Sequence, residues 1–500
     1  MVALYGSFLM SCVIAMDVNP SFTTDAVSNY KAKADAGDAE AQYLYSLALM
    51  EGLGVGKNEK QAFLYASKAA GQGYKRAFRL VGVGYENGWD GVSNSTRANE
   101  YYRKYISWAM TVANIGDGDA QNNLGECYLN GSGVDENFAE ALKWYHKAAK
   151  QGNAKALFNI GCCYFNGYGV PRDNVEAVKW QRKAAEQGLI KAQYVLGLYY
   201  STGTGVVQDY AEAVKWYRKA SQQDYADAQC KLGSCYHLGI GVPKSRAEAI
   251  KWYHKAAQQG HVEAQYELGK CYDDITLTKF MTGESTDADK AVKWYRMAAE
   301  RGHRGAQCNL GQCYYDGNGI QKDMTMAVKW FRKAALQNDS IAQLYLGFCY
   351  EEGKGVAPNK IEALKFYRKA AEQCIAQAQF KLGVCYYNGI GVTKSKVTAV
   401  KWYRVAAKNG DVDAQNALGS CYEIGDGVAQ NKEEAVKWYR KAAEQYSGDA
   451  AYNLGLCYEM GKGVSKNPLE AIKWYRQAAI TGNAKEKAIA ALDRLKVERY

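Results

Sequence analysis

Side chains able to do chemistry are plentiful in this chain, and their spacing decides what they can do. Fourteen cysteines point first to a disulfide framework or a metal site. Nine of them, Cys127, Cys163, Cys235, Cys271, Cys313, Cys349, Cys385, Cys421 and Cys457, each stand just before a tyrosine in a common register. Equivalent positions on packed neighbouring helices lie about 10 Å apart, whereas a disulfide needs Cα atoms within about 7 Å. The nine are therefore expected to be small buried side chains. There is no CxxC and no Cys/His cluster at ligand spacing, so neither a metal nor another cofactor is expected. The five histidines, His146, His237, His254, His261 and His303, form no HExxH and no Ser/His/Asp or Cys/His arrangement. The glycine loops, such as Gly203-Thr-Gly205-Val206 and Gly389-Ile-Gly391-Val392, resemble phosphate cradles, but none follows a strand or ends in Gly-Lys-Ser/Thr. They read as turns. No residue is assigned a catalytic role, and the chain is expected not to be an enzyme.

A basic ladder is the other chemical signal. Lys143, Lys179, Lys215, Lys251 and Lys293 stand before a tryptophan, and Arg182, Arg218, Arg296 and Arg332 stand two residues after one. Spaced cations could hold phosphates. However, Glu140, Glu176, Glu212 and Glu248 lie three residues before the lysines, and Glu186 and Glu300 lie four after an arginine. Such pairs on a helix surface are worth a few tenths of a kcal/mol. A solvated, charge-paired face is the expectation, and no nucleic-acid partner is expected.

What positions these groups is a repeat. The frame from Ala120, Ala-x-x-x-Leu-Gly-x-x-Tyr-x-x-Gly-x-Gly-Val, returns from Ala156, Ala192, Ala228, Ala264, Ala306, Ala342, Ala378, Ala414 and Ala450, with weaker copies at Ala41 and Ala77. The interval is 36 residues except after Ala77 (43) and Ala264 (42). Ala120, Leu124, Cys127 and Tyr128 make one apolar helical stripe, and Ala141, Trp144, Tyr145 and Ala148 make another. Glycines between them supply turns and stops. Ten of the 11 tryptophans fill one slot, with Tyr65 and Phe366 there in the other two repeats. An aromatic is demanded by architecture at that point. One hairpin cannot bury its own apolar face, so hairpins must stack. Five prolines and 48% apolar residues argue against disorder.

Together with the later segment Ala-x-x-Trp-Tyr-x-Lys-Ala-Ala, the frame resembles the Sel-one-like repeat family, relatives of tetratricopeptide repeats, over residues 41 to 485. The resemblance implies an all-α fold, a right-handed α/α superhelical solenoid acting as a protein scaffold or adaptor with first helices on its concave side. Departures are local, at Trp89-Asp-Gly91-Val92 and from Asp273-Asp274-Ile275 to Thr282-Gly283-Glu284.

Positions two, six and nine after the frame alanine point away from the core stripe at 100° per residue. They carry Phe158, Phe165, Tyr194, Tyr266, Tyr315, Phe348, Phe380, Tyr387 and Tyr452. Two readings stay open for these nine: an aromatic groove for a partner, or packing between repeats.

The organisation expected is an apolar segment over 1–20, a capping helix over 21–40, twelve repeats over 41–484 and a capping helix over 485–500. Residues 1–15 are too short to span a bilayer. They fit a secretory signal except that no Lys or Arg precedes them, which leaves exported or periplasmic and cytoplasmic locations both open. The function expected is a non-catalytic scaffold for proteins or peptides, without a membrane span and acting as a monomer. The alternatives are an envelope or secreted factor contacting host or cell-wall components and, further off, a nucleic-acid-binding helical repeat.

Overall fold

Most helices begin where a polar side chain can take up a free backbone N–H. Asp117, Asn153, Asp339 and Asp411 accept from the amides of Ala120, Ala156, Ala342 and Ala414 at 2.7–3.0 Å. Asn137, Asp209, Asp323 and Asn431 do the same for the helices that follow, at 2.8–3.0 Å. Each such cap is worth about 1 kcal/mol. At two starts the cap is histidine: Nδ1 of His261 accepts from Ala264 and Nδ1 of His303 from Ala306. The first helix of a repeat stops at a glycine in the left-handed region, Gly131 at φ 66° for example. A side chain there would be strained.

The computed structural model describes residues 22, 24–273, 287–480 and 484–495. The apolar 1–20 segment, the enlarged loop of the seventh repeat and the last residues of the C-terminal cap lie outside them. Among the described residues there are 26 helices and no strand. One helix, Thr24–Asp35, precedes twelve helix pairs that run from Ala39–Glu51 with Glu59–Gly71 to Gly448–Met460 with Pro468–Ile480; Lys485–Arg494 follows. The chain forms two compact units, Met1–Ala256 and Ala257–Tyr500.

Within each unit the interior is laid down repeat by repeat. Leu124, Leu196, Leu232, Leu310, Leu382 and Leu454 are all 0% exposed, each contributing about 2 kcal/mol by burial. The aromatic residue after the tryptophan, a tyrosine in each case but Phe331, lies on the glycine that follows each of these leucines. A Cβ at Gly125, Gly197 or Gly419 would stand 2.6–2.7 Å from the ring of Tyr145, Tyr217 or Tyr439. Only glycine fits under that ring. Trp144, Trp216, Trp294, Trp330 and Trp474 are buried and the others half-buried. Eight of the nine periodic cysteines are buried and Cys235 half-buried, and all nine are free thiols. Burial pushes the thiols up, to about 12 at Cys127 and Cys163 and to about 11 at Cys349 and Cys385. They are protonated packing groups.

A polar spine, absent from the sequence reading, runs beside this core. The residue after the frame alanine is glutamine in nine repeats, and all nine are at most 5% exposed. Gln121, Gln307, Gln379 and Gln415 each donate to a carbonyl at the end of the preceding helix, at 2.8–3.1 Å. In turn Gln151, Gln337, Asn409 and Gln445, thirty residues on, donate to their Oε1 at 2.7–2.9 Å. Where the slot is not glutamine it is apolar, Phe78, Leu157 or Ala451. Replacing Gln415 with methionine keeps the volume but removes two buried side-chain hydrogen bonds, to the Ala407 carbonyl and from Gln445, which should cost about 1.5 kcal/mol. Amide exchange in Lys396–Lys408 and Val412–Ile424 should then quicken roughly tenfold; unchanged exchange would show the spine to be energetically idle.

Candidate partner-binding face

The residues expected to meet a partner all lie on first helices, and the structure sorts them. Phe158 is 0% and Tyr194 6% exposed, which corrects the groove reading for these two. Position two points at the neighbouring hairpin, so its ring is enclosed between helices. Tyr266, Phe380 and Tyr452, at the same position, are half-buried, tilted against Tyr295, Tyr403 and Tyr475 at 5.7–6.1 Å. Positions six and nine are more open. Phe165 stacks on Tyr199 at 5.7 Å. Tyr315, Tyr345 and Phe348 form a chain of edge contacts at 5.3 and 6.1 Å, all three half-buried. Tyr387 is also half-buried, and its hydroxyl donates to Asp426 at 2.6 Å. That bond, with burial, pushes the Tyr387 phenol up to about 12.

Ammonium groups sit beside these rings. Lys322 and Lys354 lie 6.0 and 5.7 Å from the Tyr315 centroid, Lys381 lies 5.3 Å from Phe348 and Lys396 5.6 Å from Tyr387. Position nine is acidic in other repeats. Glu86, Glu351, Glu423 and Glu459 accept from the hydroxyls of Tyr102, Tyr367, Tyr439 and Tyr475 at 2.5–2.9 Å. Burial and the adjacent carboxylate hold these phenols well above their ordinary value. The face of the second unit thus carries half-exposed rings framed by fixed charges of both signs.

One polar cluster in the first unit was not anticipated. Arg79 occupies position two, where Phe158 and Tyr194 sit in later repeats. It is 9% exposed and donates to the carboxylate of Glu126, which is 2% exposed. Glu126 also accepts from Asn122 at 3.1 Å and from Asn159 at 3.2 Å. Burial pushes the Glu126 carboxyl up, while Arg79 and the two amides pull it down. A cleft of about 780 Å³ opens on this pair, with Glu51, Glu86, Trp89 and Tyr102 in its wall. The signal in sequence was a single charge in a slot otherwise apolar or amide-bearing.

The basic ladder is partly as expected. Lys143, Lys179, Lys215 and Lys251 pair with the glutamates three before them at 2.5–3.3 Å. Arg182 and Arg296, expected beside Glu186 and Glu300, instead donate to the hydroxyls of Tyr200 and Tyr314, eighteen residues on. They tie each second helix to the next repeat. His303 and His261 serve as caps. His146 is half-buried beside Trp180, with ring centroids 5.6 Å apart. Burial and then Lys150 lower its basicity. Among the described residues no group of His, Cys, Asp and Glu has the arrangement of a metal site.

Comparison with known proteins follows the fold. A protective antigen present in uropathogenic Escherichia coli strains, displaying an SLR fold, is 31% identical, with TM-score 0.65, covering 97% of this chain and 99% of that one. A Sel1 repeat protein from Oxalobacter formigenes is 31% identical, with TM-score 0.50, over 63% of this chain and 90% of its own. No protein with a curated description matches the chain in sequence. The family model for the Sel1 repeat matches twelve times, from 39–74 through 154–189 and 262–303 to 448–483. With these repeats filling most of its length, the chain belongs to the Sel1 repeat family, whose proteins generally act as scaffolds for protein interaction.

Proposed function

We propose that this scaffold binds an extended segment of a partner protein on the first-helix face of its second unit, with Tyr315, Phe348 and Tyr387 as the contacting rings; Phe165 offers a similar ring on the first unit. The observation that carries the reading is the chain of half-buried aromatics Tyr315, Tyr345 and Phe348 beside lysine ammonium groups. Rings with one face packed and one edge open offer area at little conformational cost, the usual anchors of an interface. Tyr266, Phe380 and Tyr452 are half-buried against Tyr295, Tyr403 and Tyr475, and Phe158 and Tyr194 act only in packing.

The test starts from partners cross-linked to the full chain in an extract of its own cells. Affinity of a recovered partner is then measured for the wild type and for Tyr315→Ala/Tyr387→Ala. Loss of a central anchor typically costs about 2 kcal/mol, so the pair should weaken binding several-hundredfold or more if their effects add. Wild-type affinity in a variant of native helicity would refute the assignment. A second reading, contact with envelope or host components, gains support from the 31% identical relative's description as a protective antigen. Protease digestion of intact cells tests it, since an exposed chain is cut and an internal one survives.

A further inference from the structure

Charge is divided unevenly between the two kinds of helix. The twelve second helices carry 37 Lys and Arg against 14 Asp and Glu, while the twelve first helices carry 9 against 16. The net charge of +11 conceals this division. On the second helices the cations stand in distinct rows. Seven of the ten lysines before the aromatic slot are matched by a glutamate three residues earlier, as Lys143, Lys365 and Lys437 are by Glu140, Glu362 and Glu434 at 2.8–3.3 Å. The row three residues after the slot is not. Lys147, Lys183, Lys219, Lys255, Lys333 and Lys441 hold Nζ 3.8–5.4 Å from the centroid of their own tryptophan. All six are exposed, and none has an acidic partner within ion-pair distance. Stacking on an indole fixes an ammonium without neutralising it. Beside this row, Arg218, Arg332 and Arg368 donate to Tyr236, Tyr350 and Tyr386 at 2.8–3.0 Å, again without an acid.

Most repeats therefore present one or two held, uncompensated cations in one register. Within a unit successive second helices are neighbours, as the contact of His146 with Trp180 shows, so the rows advance by about 10 Å per repeat. Identical side chains in repeat after repeat carry no address for a unique patch on a folded partner. They suit a ligand whose own charge is present everywhere. The tryptophans are buried or half-buried with an ammonium over the ring, which leaves no open platform for nucleic-acid bases. No helix among the described residues is long and apolar enough to cross a membrane, so contact would be peripheral. We propose that the second-helix face docks on an anionic phospholipid surface through the lysines stacked on tryptophan and the arginines beside them. Attraction of this kind adds charge by charge and fades with salt. It is independent of what the first-helix face binds.

Co-sedimentation of the full chain with phosphatidylcholine vesicles containing about 30% phosphatidylserine tests the proposal. Binding should be at least about tenfold weaker at about 200 mM salt than at about 50 mM, and absent with phosphatidylcholine alone. Lys369 holds the same row position beside Phe366, 6.0 Å from its centroid, and Lys333→Gln/Lys369→Gln/Lys441→Gln should lower the partition about tenfold or more. Lys231→Gln/Lys270→Gln/Arg304→Gln removes the same charge from first helices and should change it less than about threefold. Equal losses in the two variants, no binding to anionic vesicles at the lower salt, or tighter binding to duplex DNA than to vesicles would each overturn the proposal.

Discussion

Replacing Gly355 with alanine is expected to unlatch the ninth repeat from the eighth. Gly355 has φ +69°, and a Cβ there would lie 2.1 Å from the carbonyl oxygen of Met324. That oxygen belongs to backbone, so no rotamer change relieves the overlap. The left-handed conformation costs an alanine about 1–2 kcal/mol, and forced displacement of packed atoms about 1–3 more. A loss of about 3 kcal/mol would speed amide exchange in Met324–Leu336 and Ser340–Glu352 by roughly 100-fold. Gly302 provides the comparison, with φ +91° and nothing within 4 Å of the added atom. Its alanine variant carries the strain without the overlap and should lose only about 1 kcal/mol. If both variants exchange alike, the loop is not a latch.

The second large effect concerns the buried ion pair. Glu126→Leu leaves the Arg79 guanidinium without its carboxylate in a site that is 9% exposed. An uncompensated buried charge costs about 3–5 kcal/mol. Arg79→Met together with Glu126→Leu removes both charges and should recover most of that loss, because an apolar pair of similar volume is often as stable. Thermal unfolding and exchange in Lys75–Asn87 and Gly118–Asn130 provide the readout. Should the double variant be as damaged as the single one, the pair matters through shape and not charge.

Both sites mark where sequence reading stopped. The repeat, the helix pairs and the aromatic slot were legible because each copy meets the same physical demand, so the same residue types return at one interval. The thiols were legible for the same reason. Phe158 and Phe165 show the limit. Both are phenylalanines off the apolar stripe of one helix, and helical angle alone places both on the same side. Only the neighbouring hairpin distinguishes them, enclosing Phe158 and leaving Phe165 half-open. Gln415 shows a different limit, since no periodicity argument singled it out. Its amide turns inward and donates to the Ala407 carbonyl at the end of the preceding helix. Its recurrence in nine repeats was the available clue, since a solvated position has no reason to keep one amide. Arg182 was assigned to Glu186 because pairing rules within a helix cannot see the Tyr200 hydroxyl on the next one.

The glutamine spine also bears on how the chain is made. Gln121, Gln307, Gln379 and Gln415 are each completed on one side by a carbonyl eight residues earlier and on the other by an amide thirty residues later. A chain leaving the ribosome therefore satisfies one hairpin's hydrogen bonds as soon as the next few turns emerge. Little distant sequence has to be awaited, and the growing end never exposes more than about one unfinished joint, a condition that favours orderly synthesis over aggregation.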